Sequence, residues 1–221
     1  MGKKHDLILI GGGGHCRSCI DVIETEGRFV IRGVVDANAN LHAPILDYEL
    51  LGGEDRIERL TKTCHHFLVT VGQIKEWKPR VRLYDYLKSL HVTIPTIISP
   101  LAHVSKYATL GEGCIVMHQA IVNSGASVGK NCILNSKSLI EHDVVIEEHC
   151  HISTAAVVNG ATTVRRCSFV GSNAVIREGI EVGENCIVGA GMVVMRSVRS
   201  GTLLKPRRQP RLPEPLSDLD S

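Results

Sequence analysis

The sequence lacks several features that would place the protein in a broad functional class. Its 25 basic and 23 acidic residues leave a net charge of +2, without the overall positive charge that is typical of nucleic-acid binding. Its apolar stretches are far shorter than the roughly 20 residues that cross a membrane. Lys3 to Asp6 are followed by an apolar run of only four residues and then by glycines, so we expect no signal peptide. We therefore expect a cytoplasmic protein that binds neither nucleic acid nor membrane.

The eight cysteines show no pattern that indicates disulfides or a metal site. Cys16 and Cys19 have the C-x-x-C spacing, but no second pair of Cys or His lies nearby to complete a zinc site. Cys114, Cys132 and Cys150 are evenly spaced along the chain, which the repeat described next explains. We interpret these cysteines as small buried side chains and expect no metal.

A strict period of six residues runs through the second half of the chain. Every sixth residue from Ile98 to Val194 is aliphatic, at seventeen consecutive positions. This period fits neither a helix nor an ordinary strand, and with β-branched residues at the repeat position it indicates a hexapeptide β-helix. Three hexapeptides form one triangular coil, so residues three hexapeptides apart are neighbours along the axis. Nearly all known enzymes of this architecture transfer acyl groups. We expect tight corners with a positive φ at the glycines that directly follow the aliphatic position, which are Gly111, Gly129, Gly171, Gly183 and Gly189.

The first ninety residues predict a separate α/β unit. The predicted order is strand, helix, strand, short helix, strand, helix, which is typical of a small Rossmann-like parallel sheet. The corresponding segments are Leu7–Ile10, a helix through Ile20 and Ile23, Phe29–Val35, a turn of helix at Ile57 and Leu60, Phe67–Val71, and Val81–Leu90. We therefore divide the chain into a Rossmann-like domain at residues 1–96, an all-β helical domain at 97–203 and a flexible tail at 204–221.

A glycine-rich loop follows the first predicted strand. Bare backbone amides at a helix N-terminus favour a phosphate, so Gly11, Gly12, Gly13 and Gly14 predict a nucleotide phosphate site, with His15 and Arg17 as possible contacts. Asp36, at the end of the second strand, is placed to accept hydrogen bonds from a ribose or a base. The alternatives are a purely structural turn and, for Arg17, a solvated position on the helix.

The combination of these features resembles a known family. The glycine loop G-G-G-G-H-x-R before a hexapeptide β-helix resembles the bacterial sialic-acid and nucleotide-amino-sugar acetyltransferases of the NeuD/PglD type, over about residues 5–200. The most specific part is N-S-K-S-L-I-E-H-D at 135–143, followed by H-I-S at 151–153. The resemblance implies a left-handed parallel β-helix, a homotrimer, acetyl-CoA as co-substrate and a nucleotide sugar as substrate.

The resemblance also implies roles for individual residues. His142 corresponds to the catalytic base, Asp143 to the residue that orients it, and His151 to a second histidine near the acetyl group. Independently of the resemblance, Gly160 lies one predicted coil after His142 in the same column, so its amide could stabilise an oxyanion beside the base. We expect acetyl-CoA to contact His151, Gly160, Gly189 and Lys205.

The chain departs from the family pattern at three places. Thr154 and Ala155 stand where the family has Pro-Gly, and Arg165 stands where it has glycine. The family's final G-x-P-A-[RK] corresponds to L-K-P-R at 204–207. The last departure leaves open how the tail runs relative to CoA.

The sequence therefore predicts an acetyl-CoA-dependent N-acetyltransferase that acts on the 4-amino group of a UDP-linked amino sugar. A sialic acid O-acetyltransferase would use the same base on a hydroxyl group. A non-catalytic β-helix scaffold is a further alternative, which the retained Glu141, His142 and Asp143 disfavour. An NAD-dependent enzyme is disfavoured because the first domain is short.

Overall fold

A computed structural model describes residues 4–37 and 44–205 of the protein. The predicted fold class is confirmed: a small Rossmann-like parallel sheet with helices precedes a left-handed parallel β-helix. The two parts pack against each other through a shared apolar cluster.

The α/β part contains a four-stranded parallel sheet with the order β3-β2-β1-β4. Its elements are β1 (His5–Ile10), α1 (Gly14–Glu26), β2 (Phe29–Val35), β3 (Leu50–Gly52), a 3₁₀ turn (Glu54–Arg56), α2 (Ile57–Leu60), β4 (His66–Val69) and α3 (Lys78–Ser89). The strand that the sequence predicts as the third is therefore the fourth. The additional strand, β3, has only three residues, all half-buried, which is too short for an apolar pattern.

The two long helices cover opposite faces of this sheet. Alternate residues of β1 point to opposite faces, so Leu7 and Leu9 pack with α1 whereas Ile8 and Ile10 pack with α3. The cluster on the α1 side also includes Ile115, Met117 and Ile133 of the β-helix. Helix α1 is thus sandwiched between the sheet and the β-helix.

The β-helix is built from eighteen two-residue strands among the described residues. They are β5 (Ile97–Ile98), β6 (His103–Val104), β7 (Thr109–Leu110), β8 (Ile115–Val116), β9 (Ile121–Val122), β10 (Ser127–Val128), β11 (Ile133–Leu134), β12 (Leu139–Ile140), β13 (Val145–Ile146), β14 (His151–Ile152), β15 (Val157–Val158), β16 (Thr163–Val164), β17 (Phe169–Val170), β18 (Val175–Ile176), β19 (Glu181–Val182), β20 (Ile187–Val188), β21 (Val193–Val194) and β22 (Leu203–Leu204). Paired residues lie three hexapeptides apart, as Ile97 with Ile115 and Ile133 with His151. The predicted coil length is therefore confirmed.

The coils form three faces with different outward side chains. The covered face (β5, β8, β11, β14, β17, β20, β22) lies under the α/β part, and its outward residues from Ile97 to Phe169 are buried. The apolar face (β6, β9, β12, β15, β18, β21) presents an aliphatic column from Ile121 to Val193. The polar face (β7, β10, β13, β16, β19) presents mostly hydroxyl and charged side chains.

The reason why glycine follows the aliphatic position differs from the one expected. Positive φ values occur instead at the third corner residue, for example Asn131 (56°) and Asp143 (59°). At Gly111 an added Cβ would lie 2.5 Å from the backbone nitrogen of Lys130, in the next coil. The expectation of a positive φ at this position was therefore wrong. The glycines are needed because the backbones of successive coils approach closely.

The interior of the β-helix contains the predicted column of cysteines. Cys114, Cys132, Cys150 and Cys186 are free and buried, and Ser168 takes the remaining place. The Cys132 amide donates to Cys114 Sγ at 3.4 Å, and the Cys186 amide donates to Ser168 Oγ at 2.9 Å. Cys16 and Cys19 are free and buried on α1, as predicted. Burial and weak hydrogen bonds therefore account for these positions without a disulfide.

The end of the described chain continues the β-helix. Strand β22 pairs with β20 through Leu204 and Val188, so the first residue of the predicted tail lies in a strand. Arg207 and the rest of that tail lie outside the described residues. The proposed domain boundary between residues 96 and 97 stays a prediction. Within 4–37 and 44–205, none of the helices has the length and hydropathy of a membrane span, and no cluster of three or more His, Cys, Asp or Glu is arranged to hold a metal.

Candidate active site

His142 lies at the corner between β12 and β13, where the apolar and polar faces meet. Its side chain is 65% exposed, and its Nδ1 lies 2.9 Å from Asp143 Oδ2. A carboxylate only accepts, so in a neutral imidazole Nδ1 carries the proton and Nε2 has a free lone pair. The residue pair thus has the geometry of a candidate general base that faces solvent.

Gly160 lies directly beside this imidazole in the next coil. A Cβ added at Gly160 would lie 2.7 Å from both Cε1 and Nε2 of His142, so only glycine leaves room for the ring in this position. The Gly160 amide donates no hydrogen bond to another described residue. A base and an unused backbone donor are therefore adjacent, which is the arrangement that acyl transfer through an oxyanion requires.

Backbone conformation and a neighbouring glycine place the Asp143 carboxylate. Asp143 has a φ of 59°, in the left-handed region that Asp tolerates, and its Oδ1 occupies the space that a Cβ of Gly125 would fill. Glu141 is held separately, because its Oε2 accepts from Asn123 Nδ2 at 2.9 Å and from the His142 amide at 3.3 Å. These contacts order the whole corner around His142.

The glycine loop forms the N-terminal end of α1. Gly11 has a φ of 107° and lies directly against Val71, and the Gly12 amide donates to Asp36 Oδ2 at 2.5 Å. Cβ atoms added at Gly13 or Gly14 would meet nothing, so this part of the loop is open. The amides of Gly13 and Gly14 make no hydrogen bonds to described residues, and the first turn of α1 has no acidic residue. The loop can therefore receive an anion.

His15 and Arg17 lie in the first turn of α1 but in different surroundings. The Arg17 side chain is exposed. The Nε2 atom of His15 is buried without a hydrogen-bond partner, and the His15 ring centroid lies 6.2 Å from that of His151. Burial, with the charge of Arg80, lowers the pKa of His15 to about 3, so this imidazole is neutral at pH 7. His15 therefore faces the β-helix from the inner side of the loop.

A cavity lies at the carboxyl ends of β1, β2 and β4, where open parallel sheets bind ligands. It is lined by Gly11, Asp36, Glu54, Val71 and Arg82, among others. Arg82 donates to both carboxylate oxygens of Glu54 at 2.7 Å. Gly11 of the glycine loop lines the cavity, and so does Asp36, which accepts from the Gly12 amide, so one nucleotide can contact both the loop and the cavity.

His151 is buried on the covered face, with 4% of its surface exposed. Its Nδ1 lies 2.5 Å from the Gln73 carbonyl oxygen, and its ring centroid lies 5.1 Å from that of Phe169. Burial lowers the pKa of His151 to about 4. His151 thus belongs to the seam between the two parts of the chain, and its contact with acetyl-CoA stays a prediction.

The other two residues expected to contact acetyl-CoA lie in the last coil. The Gly189 amide donates to the Leu204 carbonyl at 2.8 Å, and the Met192 amide donates to the Gly189 carbonyl at 3.4 Å. Because the Gly189 amide is already hydrogen-bonded, a contact between Gly189 and CoA would be a van der Waals contact and not a hydrogen bond from this amide. Lys205 is exposed at the end of the described chain.

Apart from Gly189 and Lys205 in the last coil, the predicted site residues fall into two groups on opposite sides of one chain. His142, Asp143 and Gly160 lie together at the corner opposite the covered face. The glycine loop, Asp36 and His151 lie on the side of the α/β part. One chain by itself therefore does not bring the candidate nucleotide site to His142.

Several polar residues in the seam have no signal in the sequence. Arg80, Gln73, Asn131 and His149 come from segments far apart in sequence and form one buried hydrogen-bonded cluster with His151. In the sequence, Arg80 looks like one of the polar residues of an amphipathic helix, and no local motif indicates that its side chain is buried. Only the packing of the two domains reveals the cluster.

Comparisons with known proteins give matches to both parts of the chain. Residues 6–87 match the model of the PglD N-terminal domain, and residues 167–196 match that of the hexapeptide repeat of succinyl-transferase. A search of curated protein sequences gives no significant match.

Several solved structures are similar over most of their length. A variant of perosamine N-acetyltransferase from Caulobacter crescentus, in complex with CoA and GDP-perosamine, is 26% identical with a TM-score of 0.85, over 90% of this chain and 92% of that one. The acetyltransferase domain of PglB from Neisseria gonorrhoeae, in complex with acetyl coenzyme A, is 25% identical with a TM-score of 0.84, over 91% and 96% of the two chains. WeeI from Acinetobacter baumannii has the same fold at 19% identity, with a TM-score of 0.78 over 91% and 97%.

The two family matches fall on the two parts of the chain. The N-terminal match covers the sheet and the glycine loop, and the second match lies in the β-helix. The chain thus joins a PglD-type N-terminal domain to a hexapeptide-repeat β-helix. This combination is similar to the sugar acetyltransferases of the PglD/NeuD type and identifies the protein as an acyltransferase.

Proposed function

We propose that the protein transfers the acetyl group of acetyl-CoA to the 4-amino group of a nucleotide-linked amino sugar, with a UDP-linked sugar as the expected substrate. The observation that carries the proposal is the contact between the His142 imidazole and Gly160, with Asp143 on the opposite ring nitrogen. His142 Nε2 removes the proton from the amine as its nitrogen attacks the acetyl carbonyl, and the Gly160 amide stabilises the oxyanion that forms there. Collapse of this intermediate breaks the carbon–sulfur bond, and the departing CoA thiolate takes the proton from His142. Asp143 holds the imidazole in the required tautomer.

The α/β part supports a nucleotide sugar as the acceptor. The open glycine loop offers unpaired amides to the phosphates, and the cavity beside Asp36 offers space for the nucleoside. A second cavity lies between residues 73–78 and the covered face, lined in part by Trp77, Phe169 and Asn185. This cavity is adjacent to His151 and is where we place the sugar. The perosamine N-acetyltransferase was solved with GDP-perosamine, a nucleotide sugar, which supports this class of acceptor.

We infer that a complete site contains two copies of the chain. His142 lies opposite the face that carries the nucleotide site, so the sugar bound to one copy reaches His142 of another. The apolar face supports this assembly, because its outward residues Ile121, Leu139, Val157, Val175 and Val193 form a continuous aliphatic column. Ile121 and Val193 are 38% and 61% exposed in the single chain. Packing of this face in a homotrimer would bury the column and place His142 at the rim of the interface.

The proposal is tested by the release of CoA thiol from acetyl-CoA. The acceptors are UDP-linked and GDP-linked 4-amino sugars, the corresponding sugars without an amine, and sialic acid. Turnover with amino sugars alone supports N-acetylation. The preference between UDP-linked and GDP-linked sugars identifies the nucleobase that the protein binds. Turnover with sialic acid alone contradicts the proposal and supports the O-acetyltransferase, and no turnover with any acceptor leaves the scaffold alternative.

The role of His142 is tested by His142→Ala in the same assay. Loss of the general base should lower kcat by about 100-fold or more, with an unchanged melting temperature, because the side chain is exposed. His65→Ala is the matched control, since His65 is exposed on the α/β part and its side chain forms no hydrogen bond to a described residue. Full activity of His142→Ala would show that His142 is not the base.

A further inference from the structure

Arg80, on α3, is a buried cation without a carboxylate partner among the described residues. Its side chain is 0% exposed, and burial lowers its pKa to about 10. Nη1 donates to the carbonyls of Val69 and Val71, both at 2.8 Å, and Nε donates to the Asn131 carbonyl at 3.3 Å. Nη2 is buried without a partner. The guanidinium thus joins the end of β4 to the β-helix.

The energetic cost of this arrangement indicates a role other than stability. A buried charge loses its hydration, and carbonyl groups compensate for this loss only in part. An apolar side chain of similar volume is often at least as stable in such a place. The position of Arg80 is therefore better explained by the geometry of its hydrogen bonds, two of which hold residues 69–73 while the third attaches them to Asn131 of the β-helix.

Residues 69–73, which we call the seam segment, contact both halves of the candidate site. Val71 lies against Gly11 of the glycine loop, and a Cβ added at Gly72 would lie 3.4 Å from Cβ of His15. On the other side, Gln73 Nε2 donates to the His149 carbonyl at 2.9 Å, and the Gln73 carbonyl accepts from His151. Any shift of the seam segment would therefore move the phosphate loop and His151 together.

The seam segment also determines which nitrogen of His151 carries the proton. The Gln73 carbonyl only accepts, so His151 Nδ1 donates to it over 2.5 Å. Asn135 Oδ1 accepts from the Ser136 amide at 2.8 Å, which orients Nδ2 of the same amide toward His151 Nε2 at 3.4 Å. Both contacts require the same tautomer of His151, in which Nδ1 carries the proton and Nε2 accepts a hydrogen bond. The low pKa that burial gives His151 keeps the ring neutral at pH 7.

We propose that Arg80 is a positioning residue for acetyl transfer. It holds the seam segment, and with it Gln73 at the proposed sugar cavity, in the geometry in which His151 carries its proton on Nδ1 and accepts from Asn135 at Nε2. The proposal rests on the proposed function for the identity of the sugar. His15, on the other side of the seam segment, would move with it.

The test combines kinetics with the ¹⁵N chemical shifts of the histidine side chains in the full-length protein. Arg80→Lys keeps the charge but does not form three hydrogen bonds in this geometry, and Arg80→Met removes the charge at a similar volume. In both variants we expect kcat to fall by about 100-fold, the effect of displacing a reacting group by about 1 Å, with little change in the KM for acetyl-CoA. We also expect the His151 signals to change from one tautomer to a mixture.

Lys88→Met is the matched control for lost contacts between the domains. Lys88 also extends from α3 to the β-helix, where it pairs with Glu112 at 2.9 Å, but it does not touch the seam segment. This variant should keep the kinetics and the His151 signals of the unchanged protein. A lower melting temperature of Arg80→Lys with unchanged kcat and unchanged signals would show a purely structural role and overturn the proposal.

The unchanged protein gives a test that does not depend on how the variants fold. Between pH 6 and pH 8, His151 should carry its proton on Nδ1 alone, and a protonated Nε2 would overturn the proposal. Absence of turnover with every amino sugar would contradict the proposed function instead. The histidine spectrum would still decide whether the seam segment fixes the tautomer.

Discussion

At the scale of single residues, the position of the candidate base depends on two neighbouring glycines that have no Cβ atom. The His142 ring fits because Gly160 has no Cβ, and the Asp143 carboxylate fits because Gly125 has none. Both glycines lie one coil away from their partner, so the stacking of coils brings each pair together. The β-helix thus builds the site from columns of residues and not from a local motif alone.

The second of these contacts gives a prediction at the same scale. In Gly125→Ala the new methyl group should displace the Asp143 carboxylate from His142 Nδ1 and lower kcat by about tenfold or more. Gly179→Ala is the matched control, because Gly179 occupies the same column with a φ of 65° against 76° for Gly125, and a Cβ there meets nothing within 4 Å.

Both substitutions impose similar backbone strain, so both should lower the unfolding free energy by about 1 kcal/mol or more. Thiol release and urea unfolding measure the two quantities separately. Equal kcat values in the two variants would show that the contact with Gly125 does not orient Asp143.

At the scale of secondary structure, the repeat could be predicted far more completely than the α/β part. The period of six gave the coil length, the direction of the aliphatic column and the adjacency of His142 and Gly160. Strand β3 could not be predicted, since Leu50–Gly52 forms a strand only because β2 provides a paired edge. The cause of the corner glycines was also missed, because the distance between successive backbones cannot be read from one hexapeptide.

The aliphatic column of the apolar face gives a prediction for the assembly. Leu139→Asp places a charge at the middle of the proposed interface and should convert the homotrimer to a monomer in sedimentation equilibrium, with loss of activity. Thr163→Asp is the matched control, because Thr163 points outward from β16 on the polar face. A trimer that survives Leu139→Asp would place the interface elsewhere on the chain.

At the scale of the whole molecule, the buried seam should make folding sensitive to acid. The pKa of His151 is about 4 in the folded protein against an ordinary value of 6.5, so the unfolded chain binds a proton that the folded chain does not. Stability is therefore lost as the pH falls from 6.5 toward 4. The contribution of His151 amounts to about 2 kcal/mol at pH 5.

Urea unfolding at pH 7 and pH 5 measures this loss in the unfolding free energy. His151→Gln removes the titrating group, so the difference between the two pH values should be smaller by about 2 kcal/mol in this variant. His65→Gln, at an exposed position, should leave the difference unchanged. An equal loss in His151→Gln and the unchanged protein would show that His151 titrates normally.

The buried cysteines have a practical consequence for chemical measurements. All eight are free thiols inside the folded chain, and burial raises the pKa of Cys16 to about 11. A disulfide reagent that reacts with thiolates should therefore not react with the cysteines of the folded protein and should detect only the CoA released by turnover. As the chain opens, the same reagent should register eight additional equivalents per polypeptide. The same thiol reagent that measures turnover can thus also measure the fraction of unfolded protein.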